Sequence, residues 1–160
     1  MNNRLSLYAL SICLSTAAQG KETLELEIVT PSGHSYQAQQ ELGGDFESYD
    51  SGAIAGEVPP REYQAIRCDG PWGAMKYRLI LASGPGYQLR SRGDGLVLQI
   101  VEHSVISEDK TIAAMSVHCI DTQPRQVVKS LHEIELERGR VATQKLQLAN
   151  GYRLEYRYTP

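Results

Sequence analysis

Apolar and polar residues alternate along most of this chain with a period of two, in short runs separated by Gly, Pro, Asn, Asp and Ser. A period of two places successive side chains on opposite faces of a β-strand. The clearest runs cover residues 24–28, 75–81, 96–100 and 152–158. Because each run has one apolar and one polar side, the pattern favours antiparallel sheets with one face in solvent. We therefore predict a mainly β protein, an antiparallel β-sandwich or flattened barrel of about eight or nine strands.

Two of the connecting loops can be placed from the register that they impose. A two-residue turn at Asn150-Gly151 would split the apolar residues of the last two strands between two faces. A three-residue loop at 149–151 instead pairs Leu148 with Tyr152 and gathers these residues on one face. The same reasoning places a three-residue loop at 31–33. Both loops have Gly at the third position, which suits a left-handed backbone.

A third hairpin is predicted between residues 96–106 and 111–120. Its loop is the polar stretch 107–110, Ser-Glu-Asp-Lys, which contains residue types common in turns. This register places Cys119 beside Leu98, on a face that we expect to be buried.

One segment favours a helix over a strand. Thr122 can cap a helix, Pro124 suits a first turn, and apolar residues recur at helical spacing at positions 127, 131 and 134. Alternation at Ile134 and Leu136 leaves a strand open. We predict at most one short helix, near residues 124–132.

Residues 1–20 have the layout of a secretory signal peptide, with one arginine, an apolar stretch of about ten residues and then small residues. Cleavage fits after Ala18 or after Gly20. The apolar stretch is about half as long as a membrane-spanning helix, so a retained anchor is the weaker interpretation. We predict a signal peptide over 1–18 and a single β-rich domain over 19–160, exported to the periplasm or the extracellular space.

Cleavage changes the cysteine count from three to two. Cys13 leaves with the signal peptide, and Cys68 and Cys119 remain. In an oxidising compartment an even count favours a disulfide, and two thiols allow one pairing. We predict the structural bridge Cys68–Cys119.

The charge balance argues against nucleic acid as a partner. The chain has 19 acidic and 16 basic residues and a net charge of -3. Loss of Arg4 with the signal peptide makes it -4, whereas proteins that neutralise phosphates are normally basic. We also expect no transmembrane segment after the signal peptide is removed.

The most informative stretch for function is the connection 42–60, which carries four carboxylates and no basic residue. A connection of this length is usually either functional or disordered, and both interpretations stay open. Aromatic side chains among carboxylates suit docking on a basic protein surface. Trp72 is a second candidate, although packing over the disulfide is the favoured interpretation for it. The candidate partner-binding residues are Asp45, Phe46, Glu47, Tyr49, Asp50 and Trp72.

No pattern of metal-binding or catalytic residues emerges. The four histidines, His34, His103, His118 and His132, are expected to be satisfied or surface residues, because the predicted hairpin separates His103 from His118 by about 13 Å. The chain has no G-x-S-x-G motif, and both mature cysteines are assigned to the disulfide. We therefore predict no cofactor, no metal and no catalytic residue.

Two stretches, residues 32–36 and 83–87, match the pattern Ser-Gly-x-x-Tyr. The pattern resembles the loop by which some small, β-rich periplasmic lysozyme inhibitors enter the cleft of the enzyme. The companion element Tyr-x-x-x-Thr-Lys-Gly of one such family is absent. The resemblance implies inhibition of a secreted hydrolase as an alternative function.

Three hypotheses follow from the sequence. The first is an exported, non-enzymatic binding or accessory protein of the cell envelope that contacts a protein partner through the loop 42–60 and the adjoining sheet edge. The second is a periplasmic inhibitor of a secreted hydrolase such as lysozyme. The third is an enzyme with an unrecognised site.

Overall fold

The computed structural model describes residues 21–54, 59–69, 72–114 and 117–160, and these residues form ten strands and one 3-10 turn. The strands are β1 (Glu22–Val29), β2 (Ser35–Leu42), β3 (Ser48–Asp50), β4 (Arg61–Cys68), β5 (Ala74–Leu81), β6 (Gly84–Arg92), β7 (Gly95–Ala114), β8 (Val117–Glu137), β9 (Ala142–Gln147) and β10 (Arg153–Thr159), with the turn at Ala149–Gly151 before β10. They pair in two antiparallel sheets, ordered β2-β1-β10-β9 and β3-β6-β7-β8-β4-β5. The prediction of a mainly β sandwich is confirmed. The predicted signal peptide lies outside the described residues.

The apolar positions of both sheets form one core. Alternate residues of β1 and β10 supply one side of this core, and β6, β7 and the end of β8 supply the other. Leu24 and Leu154 of the first sheet and Leu89 and Leu98 of the second belong to this cluster, and each is at most 1% exposed. Burial of each such side chain contributes roughly 1.5–3 kcal/mol. The core therefore stabilises the half of the six-stranded sheet that the four-stranded sheet covers.

Both three-residue loops are confirmed. In the C-terminal hairpin Leu146 pairs with Leu154, and the N–H of Leu148 donates to the carbonyl of Tyr152 at 2.8 Å. In the first hairpin Ile28 pairs with Tyr36. Gly151 and Gly33 both have positive φ angles, of 80° and 91°. The requirement that apolar residues share a face determined both registers.

The third predicted hairpin is wrong in its register. β7 and β8 continue as a paired ribbon from Gly95↔Glu137 to Ala114↔Val117, and the polar stretch 107–110 lies within it. Cys119 pairs with Ile112 rather than with Leu98. The side chains at 106–111 are exposed, so burial imposes no pattern that would identify these residues as strand.

The predicted helix at 124–132 is also wrong, because β8 spans this segment. The strand contains a bulge between the pairs Ile100↔His132 and Val101↔Ser130, which leaves Leu131 as the extra residue. A bulge changes the phase of the alternation. Leu131 and Ile134, three residues apart, are therefore both buried, and their spacing imitates a helix.

The predicted disulfide is present between Cys68 and Cys119, whose Cα atoms are 6.0 Å apart. The sequence led us to expect this bridge in the core, but the bridge lies outside the core. Both cysteines are half-buried, at the end of the ribbon that is remote from the core. The bridge links the end of β4 to β8, close to the point where these two strands pair at Ile66↔Thr122.

Candidate functional site

The predicted acidic loop is in part a sheet edge. Its chain turns at Gly43, whose carbonyl accepts a hydrogen bond from the N–H of Phe46 at 3.1 Å. β3 then pairs with β6, with Tyr49 opposite Leu89. Residues 48–50 therefore form the outer strand of the six-stranded sheet rather than an unstructured connection. We call residues 45–50 the acidic edge.

Several side chains of the acidic edge are engaged by the fold. Phe46 is half-buried against the core, and the Tyr49 ring lies 5.5 Å from that of Tyr87. Asp50 accepts hydrogen bonds from the N–H of Gly52 and from Gln88 Nε2, both at 2.8 Å.

Asp45 and Glu47 remain exposed, and Tyr49 is 39% exposed. The acidic edge thus offers two solvated carboxylates beside a half-exposed aromatic ring. Glu57, the fourth carboxylate of the loop, lies outside the described residues.

Trp72 is the largest departure from expectation. Its side chain is 87% exposed, so the interpretation that it packs over the disulfide is wrong. It lies in the turn between β4 and β5, where the N–H of Asp69 donates to the carbonyl of Gly73 at 2.8 Å. The N–H of Trp72 itself donates to the carbonyl of Asp69 at 3.1 Å, so the backbone that presents the indole is hydrogen-bonded.

The β4–β5 hairpin carries further exposed apolar residues. We call its described residues, 61–69 and 72–81, the distal arm. Met75 is 56% exposed and Ile80 75% exposed. The sequence led us to expect one buried face here, but in the described part of the arm Ala65 is the one buried apolar residue, and the core cluster includes no residue from β4 or β5. The alternation in 75–81 is real, but its apolar side is left largely in solvent at Met75 and Tyr77.

The distal arm is cationic within an acidic protein. Residues 61–81 contain four basic and two acidic residues, a net charge of +2 in a chain of -3. Arg78 forms an ion pair with Glu62 at 2.8 Å. Lys76 makes no ion pair within the described parts of the chain. The exposed indole therefore lies in the turn of an arm that carries a net positive charge.

The acidic edge and the distal arm are two separate surfaces. β7 measures the distance between the two surfaces. Tyr49 lies across β6 from Leu98 on β7, and Cys119, near Trp72, pairs with Ile112 on β7. Leu98 and Ile112 are fourteen residues apart, which corresponds to about 45 Å of extended strand. The structure therefore does not bring the six predicted partner-binding residues together.

The histidines lie apart. His118 pairs with Ala113 rather than facing Gln99, and His118 and His132 are exposed. His103 is 5% exposed, and neither of its ring nitrogens has a hydrogen-bond partner. Among the residues that the structure describes, no group of three His, Cys, Asp or Glu side chains is placed to hold a metal ion.

A groove of about 400 Å³ crosses the outer face of the four-stranded sheet. It places Glu27 opposite Glu155, two carboxylates on neighbouring strands. Glu155 forms an ion pair with Lys145 at 2.7 Å, and Glu27 accepts a hydrogen bond from the Ser35 hydroxyl. The carboxylates thus belong to a polar ladder across the sheet.

Comparison with protein-family models, with curated proteins and with solved structures gave no match to this chain. Nor does any helix in the described ranges have the length and apolar character to cross a membrane.

Proposed function

We propose that this protein is an exported, non-enzymatic binding protein of the cell envelope, and that it contacts a protein partner through Trp72 and the distal arm. The observation that carries the proposal is the 87% exposure of the only tryptophan in the chain. Tryptophan is among the residues most enriched at the energetic centres of protein interfaces.

Burial of the Trp72 side chain in an interface would contribute a large favourable free energy. Transfer of about 200 Å² of indole surface into an interface gives roughly 5 kcal/mol before the costs of association. Met75, which is 56% exposed near the same end of β5, would add apolar area beside it. The N–H of Trp72 donates to the carbonyl of Asp69, and a hydrogen-bonded backbone at the anchor lowers the entropy lost on binding.

Export is supported by two features of the chain. Residues 1–20 have the composition of a signal peptide. The Cys68–Cys119 bridge fits an oxidising compartment. A mass measurement of the protein secreted by its own host would show cleavage after Ala18 or Gly20, whereas an intact N-terminus would contradict export by this route.

The acidic edge supports a second contact with the same class of partner. Asp45 and Glu47 present solvated carboxylates suited to a basic protein surface. Charge reversal at both positions should slow association more than it speeds dissociation, because exposed charges act mainly on encounter. An unchanged association rate would remove the acidic edge from the proposal.

Photo-crosslinking tests the proposed contact directly. A photoreactive amino acid replaces Trp72, and in a matched control it replaces Val141, which is 62% exposed in the loop before β9. We expect a discrete adduct with one envelope protein at position 72 and none at position 141. Equal adducts at both positions, or none at position 72, would refute the proposal.

A second candidate, inhibition of a secreted hydrolase, is favoured by the first hairpin turn. The Thr30 and Ser32 hydroxyls lie 2.8 Å apart, and the N–H of His34 donates to Thr30 Oγ1 at 3.1 Å. An exposed turn ordered in this way suits insertion into an enzyme cleft. The other Ser-Gly-x-x-Tyr stretch lies along β6, where Tyr87 is buried. A lysozyme turbidity assay with the purified protein tests this candidate, and undiminished lysis would dismiss it.

A further inference from the structure

β5 is an outer strand of the six-stranded sheet. It pairs with β4 on one side, from Ala74↔Cys68 to Leu81↔Arg61. On its other side the described chain places no strand. In a strand, alternate residues direct their N–H and C=O groups to opposite edges, so about four residues of β5 present unpaired backbone groups outward.

The side chains of β5 divide by face. Lys76, Arg78 and Ile80 lie on one face, and Met75 and Tyr77 lie on the other, because strand residues alternate. All five are exposed. An added strand would therefore meet two cations and one apolar side chain on one face, and apolar side chains on the other.

We propose that the edge of β5 binds an extended acidic segment of a partner protein, which adds to the sheet as a further strand. This inference rests on the proposed function, since the Trp72 contact would bring the segment to this edge. Backbone hydrogen bonds provide affinity in strand addition, and alternate side chains provide selectivity. Acidic residues on the added strand would lie opposite Lys76 and Arg78, and apolar residues would cover Met75 and Tyr77.

The charges of β5 argue against a second copy of this chain as the occupant. In a two-fold antiparallel pairing centred on Tyr77, Lys76 of each copy would lie opposite Arg78 of the other. Centring on Lys76 or Arg78 would place identical charges opposite each other. Like charges in directly opposed positions destabilise a strand pair, and lysines on edge strands commonly prevent self-association.

A lipid surface fits the distal arm less well. Recognition of anionic lipid typically uses clusters of four to eight Lys or Arg residues. The arm has four basic residues, but two acidic residues reduce its net charge to +2, and Arg78 is paired with Glu62. An open backbone edge fits a single peptide strand better than a lipid surface.

The test uses the full mature protein and three fluorescein-labelled octapeptides. The probe alternates Glu and Val, one control carries N-methyl groups on every backbone amide, and another replaces Glu by Lys. N-methylation blocks strand addition and leaves the charges unchanged. Fluorescence anisotropy at low salt gives the affinities, and NMR shift changes of the protein amides give the location.

We expect the Glu-Val probe to bind at least tenfold more tightly than either control and to shift the amides of 74–81. Lys76→Glu/Arg78→Glu should weaken it at least tenfold. The matched variant Lys145→Glu, which also breaks an exposed ion pair, should leave affinity within twofold. Because Arg78→Glu places a second carboxylate near Glu62, the single variant Lys76→Glu provides a milder check and should weaken binding about threefold.

Equal binding of the N-methylated peptide would overturn strand addition, as would shifts confined to β3. Concentration-dependent dimerisation with protection of β5 amides would assign the edge to a second copy instead. Binding of phosphatidylglycerol vesicles without binding of the peptide would assign it to lipid. If the photoreactive residue at position 72 crosslinks to a partner but the Glu-Val probe does not bind, this inference is refuted and the proposed function still stands.

Discussion

Removal of the disulfide is the perturbation whose magnitude the structure best defines. The bridge closes a loop with a sequence separation of 51 residues. Loop-closure entropy for this length corresponds to about 4 kcal/mol of stabilisation through the unfolded state. Total stabilities of domains are about 5–15 kcal/mol. Cys68→Ser/Cys119→Ser should therefore remove a large share of the free energy of unfolding.

Urea denaturation of the oxidised protein and of the double serine variant measures this loss. With a denaturant slope of about 2 kcal/mol per M, the midpoint should fall by roughly 2 M. Wild-type protein reduced with dithiothreitol should match the variant, which controls for the serines. A shift below about 0.3 M would refute the loop-entropy argument.

Gly86→Ala should lower the free energy of unfolding by about 1–3 kcal/mol in chemical denaturation, because the new Cβ would lie 2.3 Å from the Gly52 carbonyl oxygen. The control Gly44→Ala, with open space around its Cβ, should lower it by less than half as much. Equal losses for the two variants would contradict the contact. Burial raises the pKa values of the tyrosines to about 12 at 87, 152 and 158, with neighbouring Tyr49, Glu102 and Glu22 reinforcing the respective shifts. Between pH 10 and 12 these tyrosines therefore stay protonated in the folded state and lose their protons in the unfolded state. The urea midpoint should be constant up to pH 10 and fall from pH 10 to 12. A midpoint that does not change over this range would refute the prediction. Trp72→Ala should change the free energy of thermal unfolding by less than about 0.5 kcal/mol, and a larger loss would mean that the indole packs in the fold.

The parts of the fold that the sequence predicted are those where burial constrains the register. At the loops 31–33 and 149–151, a shift of one residue would expose Leu26 or Leu154, so the apolar pattern admits one solution. The disulfide followed from the cysteine count once Cys13 was assigned to the predicted signal peptide. In each case one physical requirement excluded the alternatives.

The wrong predictions concern segments where burial imposes no pattern or where a bulge shifts the pattern by one residue. The side chains at 106–111 are exposed, and nothing in these mostly polar residues distinguishes a strand from a turn. At Leu131 the bulge changed the phase of the alternation, which gave helical spacing within a strand. Neither effect is visible until β7 and β8 are aligned over their full length.

The candidate site was predictable only in part. Trp72 could be singled out because it is the only tryptophan, but its exposure depends on the distal arm extending away from the core. The alternation in 75–81 is the same whether its apolar face is covered or free. Met75 and Ile80 therefore carried no signal, in the sequence, of their place on an exposed surface.

The central claim is that Trp72 anchors a protein partner, and calorimetric titration with the crosslinked partner, once purified, tests it most directly. Wild-type protein, Trp72→Ala and Val141→Ala would be compared at one salt concentration. We expect Trp72→Ala to weaken binding at least 30-fold, as truncation at the centre of an interface does. Val141→Ala should remain within twofold of wild type. Equal affinities for wild type and Trp72→Ala would contradict the account.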